Sequence, residues 1–265
     1  MRPVITPPPA GKLLAGAIGY GRGVVRPNYA FFPPEGVLKS RLPFYESTDV
    51  RFLAAPVLGA RFAQFTLDIA PGGGAPKPIA EAGVSHFYYG LEGEAVIRVE
   101  GRPAHALPRG GYAYIPPGTG FAIRNESGAP ARVLGLRKRY QAIDLPAPDV
   151  ILSHESDVPR TNHTGYEGRG FRHLLPFGDM RFDFEMNMMY FLPGTFFPAV
   201  ETHIMEHGLY MMAGHGLYLL GDEWHEIWAD DFIWMGAYCP QQFYPTGPDE
   251  AVYLLYKDMN RDMAV

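Results

Sequence analysis

Glu201, His203 and His207 fall within the stretch ETHIMEHGLY, and their types and spacing suit a divalent cation. On an extended backbone, alternate side chains leave the same face, so Glu201 and His203 point together and His207 follows beyond a short bend. Gln241, after a second hairpin, supplies a neutral amide oxygen from a separate strand. An unpaired carboxylate turned into an apolar interior costs several kcal/mol, whereas a bound cation converts that cost into binding. No thiolate accompanies the set. Two imidazoles, one carboxylate and one amide favour Mn²⁺ or Fe²⁺, six-coordinate with open positions, ahead of tetrahedral zinc. Mn²⁺ stands at the weak end of the first-row affinity order, so its availability in the cell must help select it.

Such donors need a scaffold of strands, and the chain repeats one. Pro71-Gly72 opens a segment running through HFYYGLEGEAVIRVEG and GGYAYIPPGTGF to Phe121; Pro193-Gly194 opens another running to Gln241. His86 and Gly93 recur as His207 and Gly214 at an offset of 121, and Phe121 recurs as Gln241 at 120. Short alternating runs (VIRV, YAYIP, LYLL, DFIWM) broken by Gly and Pro read as strands, so the expected class is all-β, two copies of one barrel. A small barrel holds only side chains or one small ligand. The expected boundaries are an irregular, Pro-rich N-terminal arm over 1–50, a first barrel over 51–140, a linker over 141–171 and a second barrel over 172–265.

By the repeat offsets, the counterparts of the four donors in the first barrel are Ala80, Ala82, His86 and Phe121. A one-residue shift would bring in Glu81 and lose His86. That barrel is expected to have lost its metal and to serve packing or assembly. His86 reads as a core or interface histidine, and His215 and His225 as exposed turn and hairpin residues. Cys239 has no basic neighbour in sequence and reads as a buried, inert thiol. APGGGAP lacks the Gly-Lys-Ser/Thr of a phosphate loop.

Composition removes other classes. Of 265 residues, 47% are hydrophobic and 14% aromatic, enough for packed cores, and 31 Gly with 26 Pro suit many short strands joined by turns. Net charge is −5 with no basic run, so nucleic acid is an unexpected partner. One cysteine forms no internal disulfide and fits a reducing compartment. The N-terminal MRPVITPPPAGKLL lacks a signal peptide's apolar region, and no stretch of about 18 apolar residues is present to span a membrane. A cytoplasmic protein is expected.

The spacing resembles the cupin metal motif, Gly-x5-His-x-His-x(3,4)-Glu-x6-Gly, with carboxylate and histidine exchanged. Glu201 stands where the first His is expected, His207 where the Glu is, and Gln241 replaces a later His. This permutation, with MGAYCPQQFY and the tail YLLYKDMNRD, resembles the (S)-ureidoglycine aminohydrolases. Those are bicupins of purine (allantoin) degradation, built of two tandem cupin (double-stranded β-helix, or jelly-roll) barrels. The resemblance covers nearly the whole chain and is strongest from 193 to 262. It implies Mn²⁺ on Glu201, His203, His207 and Gln241, catalytic roles for Lys257, Tyr253 and Tyr218, and release of ammonia from a small anionic ureido substrate to leave ureidoglycolate. Tyr253 and Lys257 lie four apart on one strand, so both can face the metal. An iron-dependent bicupin dioxygenase and a non-catalytic small-molecule-binding cupin are the competing readings. Sheet pairing of such barrels implies a homo-oligomer.

Overall fold

Strands separated by glycine- and proline-bearing turns make up nearly all the regular structure in the computed structural model of the chain, which describes residues 22–261. Helical pieces among the described residues are three-residue 3₁₀ turns. The all-β expectation holds. In chain order the strands begin with β1 (Val24–Arg26), β2 (Tyr29–Phe32), β3 (Glu46–Ala54), β4 (Phe62–Gly74), β5 (Val84–Glu92), β6 (Ala95–Val99) and β7 (His105–Leu107). Then come β8 (Gly111–Ile115), β9 (Phe121–Arg124), β10 (Ala131–Arg139), β11 (Ile151–His154), β12 (Thr161–Asn162), β13 (Arg169–His173) and β14 (Phe184–Phe191). The last six are β15 (His207–Ala213), β16 (His215–Leu220), β17 (Glu223–Trp228), β18 (Phe232–Met235), β19 (Gln241–Pro245) and β20 (Ala251–Asp258).

The described chain divides into two compact units. The N-terminal unit comprises 39–159, 173–185 and 259–261; the C-terminal unit comprises 22–38, 160–172 and 186–258. The N-terminal unit holds a nine-stranded sheet, ordered β11-β8-β5-β10-β4-β9-β6-β7 with β3 paired to β4. Its core includes Val50, Leu67, Ile97, Ile123 and Val133. The C-terminal unit holds an eight-stranded sheet, β1-β2-β18-β15-β20-β14-β13-β12, and a three-stranded one, β17-β16-β19.

Register decides what faces the interior of the C-terminal unit. β15 and β20 pair antiparallel with His207 opposite Lys257, Leu209 opposite Leu255 and Met211 opposite Tyr253. Opposed residues share a face, so all six point the same way. Leu209, Met211, Leu255 and Tyr253 there join Ile233, Phe243 and Phe191 in one buried core. The polar pair His207 and Lys257 occupies the end of that apolar row.

The repeat is physical as well as lexical. Gly93 and Gly214 both have positive φ, 62° and 78°. A Cβ on Gly93 would lie 3.0 Å from Ala131 Cα, and one on Gly214 2.9 Å from Ala251 Cα. Both turns thus need glycine twice over, for backbone conformation and for close approach to the same following strand.

The arm departs from expectation. It is not irregular throughout: β1 and β2 form a hairpin, and β2 pairs with β18 at the edge of the C-terminal sheet. Tyr29, Ala30 and Phe31 are buried there, which a Pro-rich context conceals in the sequence. What was expected of residues 1–21 lies outside the described residues. The stretch expected as linker also contains β11, which pairs with β8.

Candidate active site

The segment between β14 and β15 carries the first donors. Glu201 and Gln241 form an isolated antiparallel bridge and exchange both backbone hydrogen bonds, each at 2.9 Å. This sets their side chains next to one another on one face. The chain then bends, with Tyr238 N donating to His203 O at 2.7 Å, before entering β15 at His207.

The two imidazoles converge. His203 Nε2 and His207 Nε2 stand 3.2 Å apart, and Gln241 Nε2 donates to His203 Nε2 at 3.0 Å, so the amide oxygen faces Tyr218 and would have to exchange places with the nitrogen to meet an ion. Each ring is fixed from behind. His203 Nδ1 donates to Met205 O at 3.1 Å, and His207 Nδ1 to Tyr256 O at 3.2 Å. With Nδ1 protonated on both rings, both Nε2 atoms are unprotonated and aimed at the same point, that of His203 also accepting from the Gln241 amide. Two facing lone pairs repel unless a cation or proton lies between them. Backbone carbonyls behind metal-binding imidazoles work in this way, setting the tautomer and the aim of the ring. Tyr218 OH donates to Gln241 Oε1 at 3.3 Å, fixing the amide in turn.

Electrostatics agree. Burial holds the His203 imidazole below its ordinary range and the fully enclosed His207 well below it, with Lys257 adding to both. At neutral pH both rings are therefore uncharged. Glu201 is exposed at the rim, yet burial of its inner side pushes its carboxyl upward against the pull of Lys257 and Arg169. Burial also holds the hydroxyls of Tyr218 and Tyr253 well above the ordinary tyrosine range, so both stay protonated donors.

The structure thus joins Tyr218, Gln241 and His203 by hydrogen bonds and sets His207 Nε2 beside His203 Nε2, with Lys257 opposite His207 and Tyr253 two pairs deeper on the same face. Glu201 joins them through its ladder partner. Among the described residues no three His, Cys, Asp or Glu side chains come close enough together to hold a metal. The ladder fixes the Glu201 backbone, and its side chain is exposed. The donor set fits a divalent first-row ion: two neutral imidazoles aimed at one point, an amide beside them and a carboxyl on the neighbouring strand position. Gln242, next to Gln241 in the chain, turns away and donates to Phe197 O at 2.7 Å.

One residue escaped the sequence reading. Arg169 on β13 is 7% exposed, donates from Nη2 to Thr164 Oγ1 at 3.1 Å, and lies over the rings of Tyr166 and Phe197 at 4.9 and 5.3 Å. Its charge acts on Glu201 and Tyr253. It sits in the polar stretch GYEGRGFRH, where nothing but burial separates it from a surface arginine.

The N-terminal unit overturns the pairing expected for it. Its bridge equivalent to Glu201–Gln241 joins Ile79 to Phe121, so Ile79 and Glu81, not Ala80 and Ala82, occupy the counterpart positions. Seven positions separate Ile79 from His86 where six separate Glu201 from His207, and the extra residue lets Glu81 and His86 coexist. Glu81 Oε2 lies 3.2 Å from His86 Nε2. His215 and His225, expected exposed, are half-buried; His215 stacks on Trp228. Cys239 is buried, and burial pushes its thiol up.

Comparison with known proteins matches this architecture. Residues 65–136 match the Cupin domain family. Oxalate decarboxylase of Bacillus subtilis, 12% identical with a TM-score of 0.66 over 87% of this chain and 77% of that one, shares the fold. Two solved structures are much more similar. A putative glyoxylate-induced protein from Pseudomonas aeruginosa is 36% identical, with a TM-score of 0.85 over 93% of this chain and 94% of that one. Protein YlbA from E. coli is 30% identical, with a TM-score of 0.83 over 93% and 97%. Among curated relatives, the probable (S)-ureidoglycine aminohydrolase of Oryza sativa subsp. japonica is 31% identical over 92% of this chain and 77% of that protein. The (S)-ureidoglycine aminohydrolase of Escherichia coli (strain K12) is 32% identical over 239 residues, 90% of this chain and 91% of that protein. With two cupin barrels, a site of this kind and that extent of likeness, the chain belongs to the (S)-ureidoglycine aminohydrolase family.

Proposed function

We propose that this chain is a metal-dependent hydrolase of a C–N bond, releasing ammonia from (S)-ureidoglycine to leave (S)-ureidoglycolate in allantoin degradation. The observation that carries the reading is the pair of imidazoles whose Nδ1 atoms are tied back to carbonyls while their Nε2 atoms converge beside Gln241. Family membership supplies the substrate class.

His203, His207, Gln241 and Glu201 would hold Mn²⁺, or Fe²⁺ in its place. Such an ion supplies Lewis acidity and a template for a carboxylate and an amine. The remaining work falls to the chain itself. Lys257, half-buried opposite His207, is placed to meet an anionic substrate and to move a proton at Nζ. As the C–N bond breaks, the leaving amine takes a proton from Lys257 Nζ. A water oxygen bonds to the same carbon, and its surplus proton returns to Lys257. Tyr253, protonated and buried, donates a hydrogen bond that orients the ureido group or that water, while Tyr218 holds the Gln241 amide in place. The apolar floor of Leu209, Leu255 and Met211 excludes bulk water and strengthens each of these interactions. Arg169 offsets the charge of Glu201.

The reading carries a homo-oligomer acting in the cytoplasm. No helix among the described residues is long and apolar enough to cross a membrane. The test is ammonia release from freshly generated ureidoglycine, with and without added Mn²⁺, on the native chain and on Glu201→Ala. Anaerobic, Mn²⁺-stimulated release that fails in the variant is expected. Oxygen consumption without ammonia would replace this reading with the iron dioxygenase.

A further inference from the structure

In the N-terminal unit, Ile79, Glu81 and His86, the equivalents of Glu201, His203 and His207, line a pocket with about 300 Å³ of empty space, part of it open to solvent. Its walls are largely apolar, including Leu42, Phe44, Phe52 and Phe65. Against them stands a polar cluster. Arg137 Nη2 donates to Glu81 Oε1 at 2.5 Å. His86 Nε2 lies 3.2 Å from Glu81 Oε2 without the alignment of a hydrogen bond. His86 is 3% exposed, and among the described residues neither of its ring nitrogens has a hydrogen-bond partner. A buried imidazole without partners is rare, because each unpaired polar atom there costs about 1–3 kcal/mol. Tyr45 and Tyr88 close the cluster, their hydroxyls 3.4 Å apart.

The internal repeat shows what has changed. His86 faces Arg137 across β5 and β10, as His207 faces Lys257 across β15 and β20. Ile79 replaces Glu201, Glu81 replaces His203, and Phe121 replaces Gln241. The place survives, but its donors no longer suit a metal: the carboxylate already answers an arginine. Arg137 and Glu81 cancel, and burial together with Arg137 pushes His86 down to about 3, leaving it neutral. An anion entering here meets Glu81 and a cation meets Arg137, so a neutral guest is favoured. The Arg137–Glu81 pair presents N–H donors and carboxylate acceptors side by side. That edge complements a planar group carrying C=O and N–H next to one another, and the aromatic walls suit its flat faces.

We propose that this pocket is a second ligand site, taking a small, neutral, planar ureide or lactam. Its carbonyl accepts from Arg137, its N–H donates to Glu81, and His86 gains the partner it lacks. The proposal does not depend on the catalytic reading, since it uses none of that site's residues.

Isothermal titration of the whole protein with hydantoin, a cyclic ureide, tests it, with acetate and guanidinium as charged controls. Hydantoin is expected to bind and the controls not to. Glu81→Gln and His86→Phe should each weaken hydantoin at least tenfold, while His207→Ala in the other unit leaves its affinity unchanged. Thermal melts come first. If Glu81→Gln unfolds, His86→Phe carries the comparison, because it keeps the volume with a ring that needs no partner. No heat from hydantoin with the native chain, equal or tighter binding of the charged controls, retained affinity in the His86 variant, or loss in His207→Ala would each overturn the proposal.

Discussion

Tyr218 illustrates how a side chain that reads as a strand aromatic can govern a polar centre. It stacks on Phe243 with ring centroids 5.6 Å apart, yet its hydroxyl reaches Gln241 Oε1. Tyr218→Phe keeps the packing and frees the amide, so metal affinity should fall about tenfold, the lower end for a group supporting a metal ligand. Metal content after dialysis, read beside an unchanged melting temperature, checks this. Lys257 makes the complementary case. In Lys257→Met the metal should stay bound while ammonia release drops roughly a hundredfold or more, the loss expected for a proton-transfer group. Equal losses of metal and rate would assign Lys257 to the site's architecture instead. At this scale the sequence was informative where spacing encodes direction: Glu201, His203 and His207 are legible because extended backbone alternates. Arg169 was not, since a buried and an exposed arginine look alike until the fold encloses one.

Between residues and function stand the elements, and their register does most of the positioning. A one-residue slip of β20 against β15 would replace Lys257 with Tyr256 or Asp258 opposite His207, which is why the apolar row of Leu209, Leu255, Met211 and Tyr253 matters to the polar end. Turns pin that register. Gly214→Ala meets both a positive φ and Ala251 Cα at 2.9 Å, so it should destabilise the C-terminal unit by more than about 1 kcal/mol. The urea midpoint measures this, and the equivalent Gly93→Ala should act alike in the other unit. Phe31, 1% exposed on β2, seals the edge of β18, and Phe31→Ala should cost about 3–5 kcal/mol. An effect below about 1 kcal/mol would show that the arm is dispensable. Here the strand repeat could be read from Gly, Pro and alternation. The arm's hairpin could not, because four short residues among prolines carry too little pattern. Nor could the extra residue ahead of His86, which sequence alignment by fixed offsets hides and only the Ile79–Phe121 bridge reveals.

For the chain as a whole, stability integrates every buried charge, and Asp231 stands out. It is 1% exposed, accepts from both Nη atoms of Arg22 at 2.7 and 2.9 Å, and accepts from Trp228 N at 2.7 Å. Those contacts favour the ionised form, but loss of hydration outweighs them and raises its carboxyl to about 6. Between the ordinary value of 3.8 and about 6, the folded chain therefore keeps a proton that the unfolded chain releases. Stability from this group is present at low pH and is lost as pH rises through that window, by an amount on the order of 1–3 kcal/mol. Glu223 and Glu126, held low by Arg26 and Arg98, push the other way, as does Asp179 beside Arg181. The raw profile of the native chain is a sum of opposing slopes. Asp231→Asn removes one of them and leaves the rest, so the difference between the two chains isolates it. The native chain's urea midpoint, relative to the variant's, should decline from pH 4 to pH 6 and run parallel above that. Parallel curves across the whole range would mean that Arg22 holds Asp231 ionised throughout, and that the buried pair, not the buried proton, sets the balance.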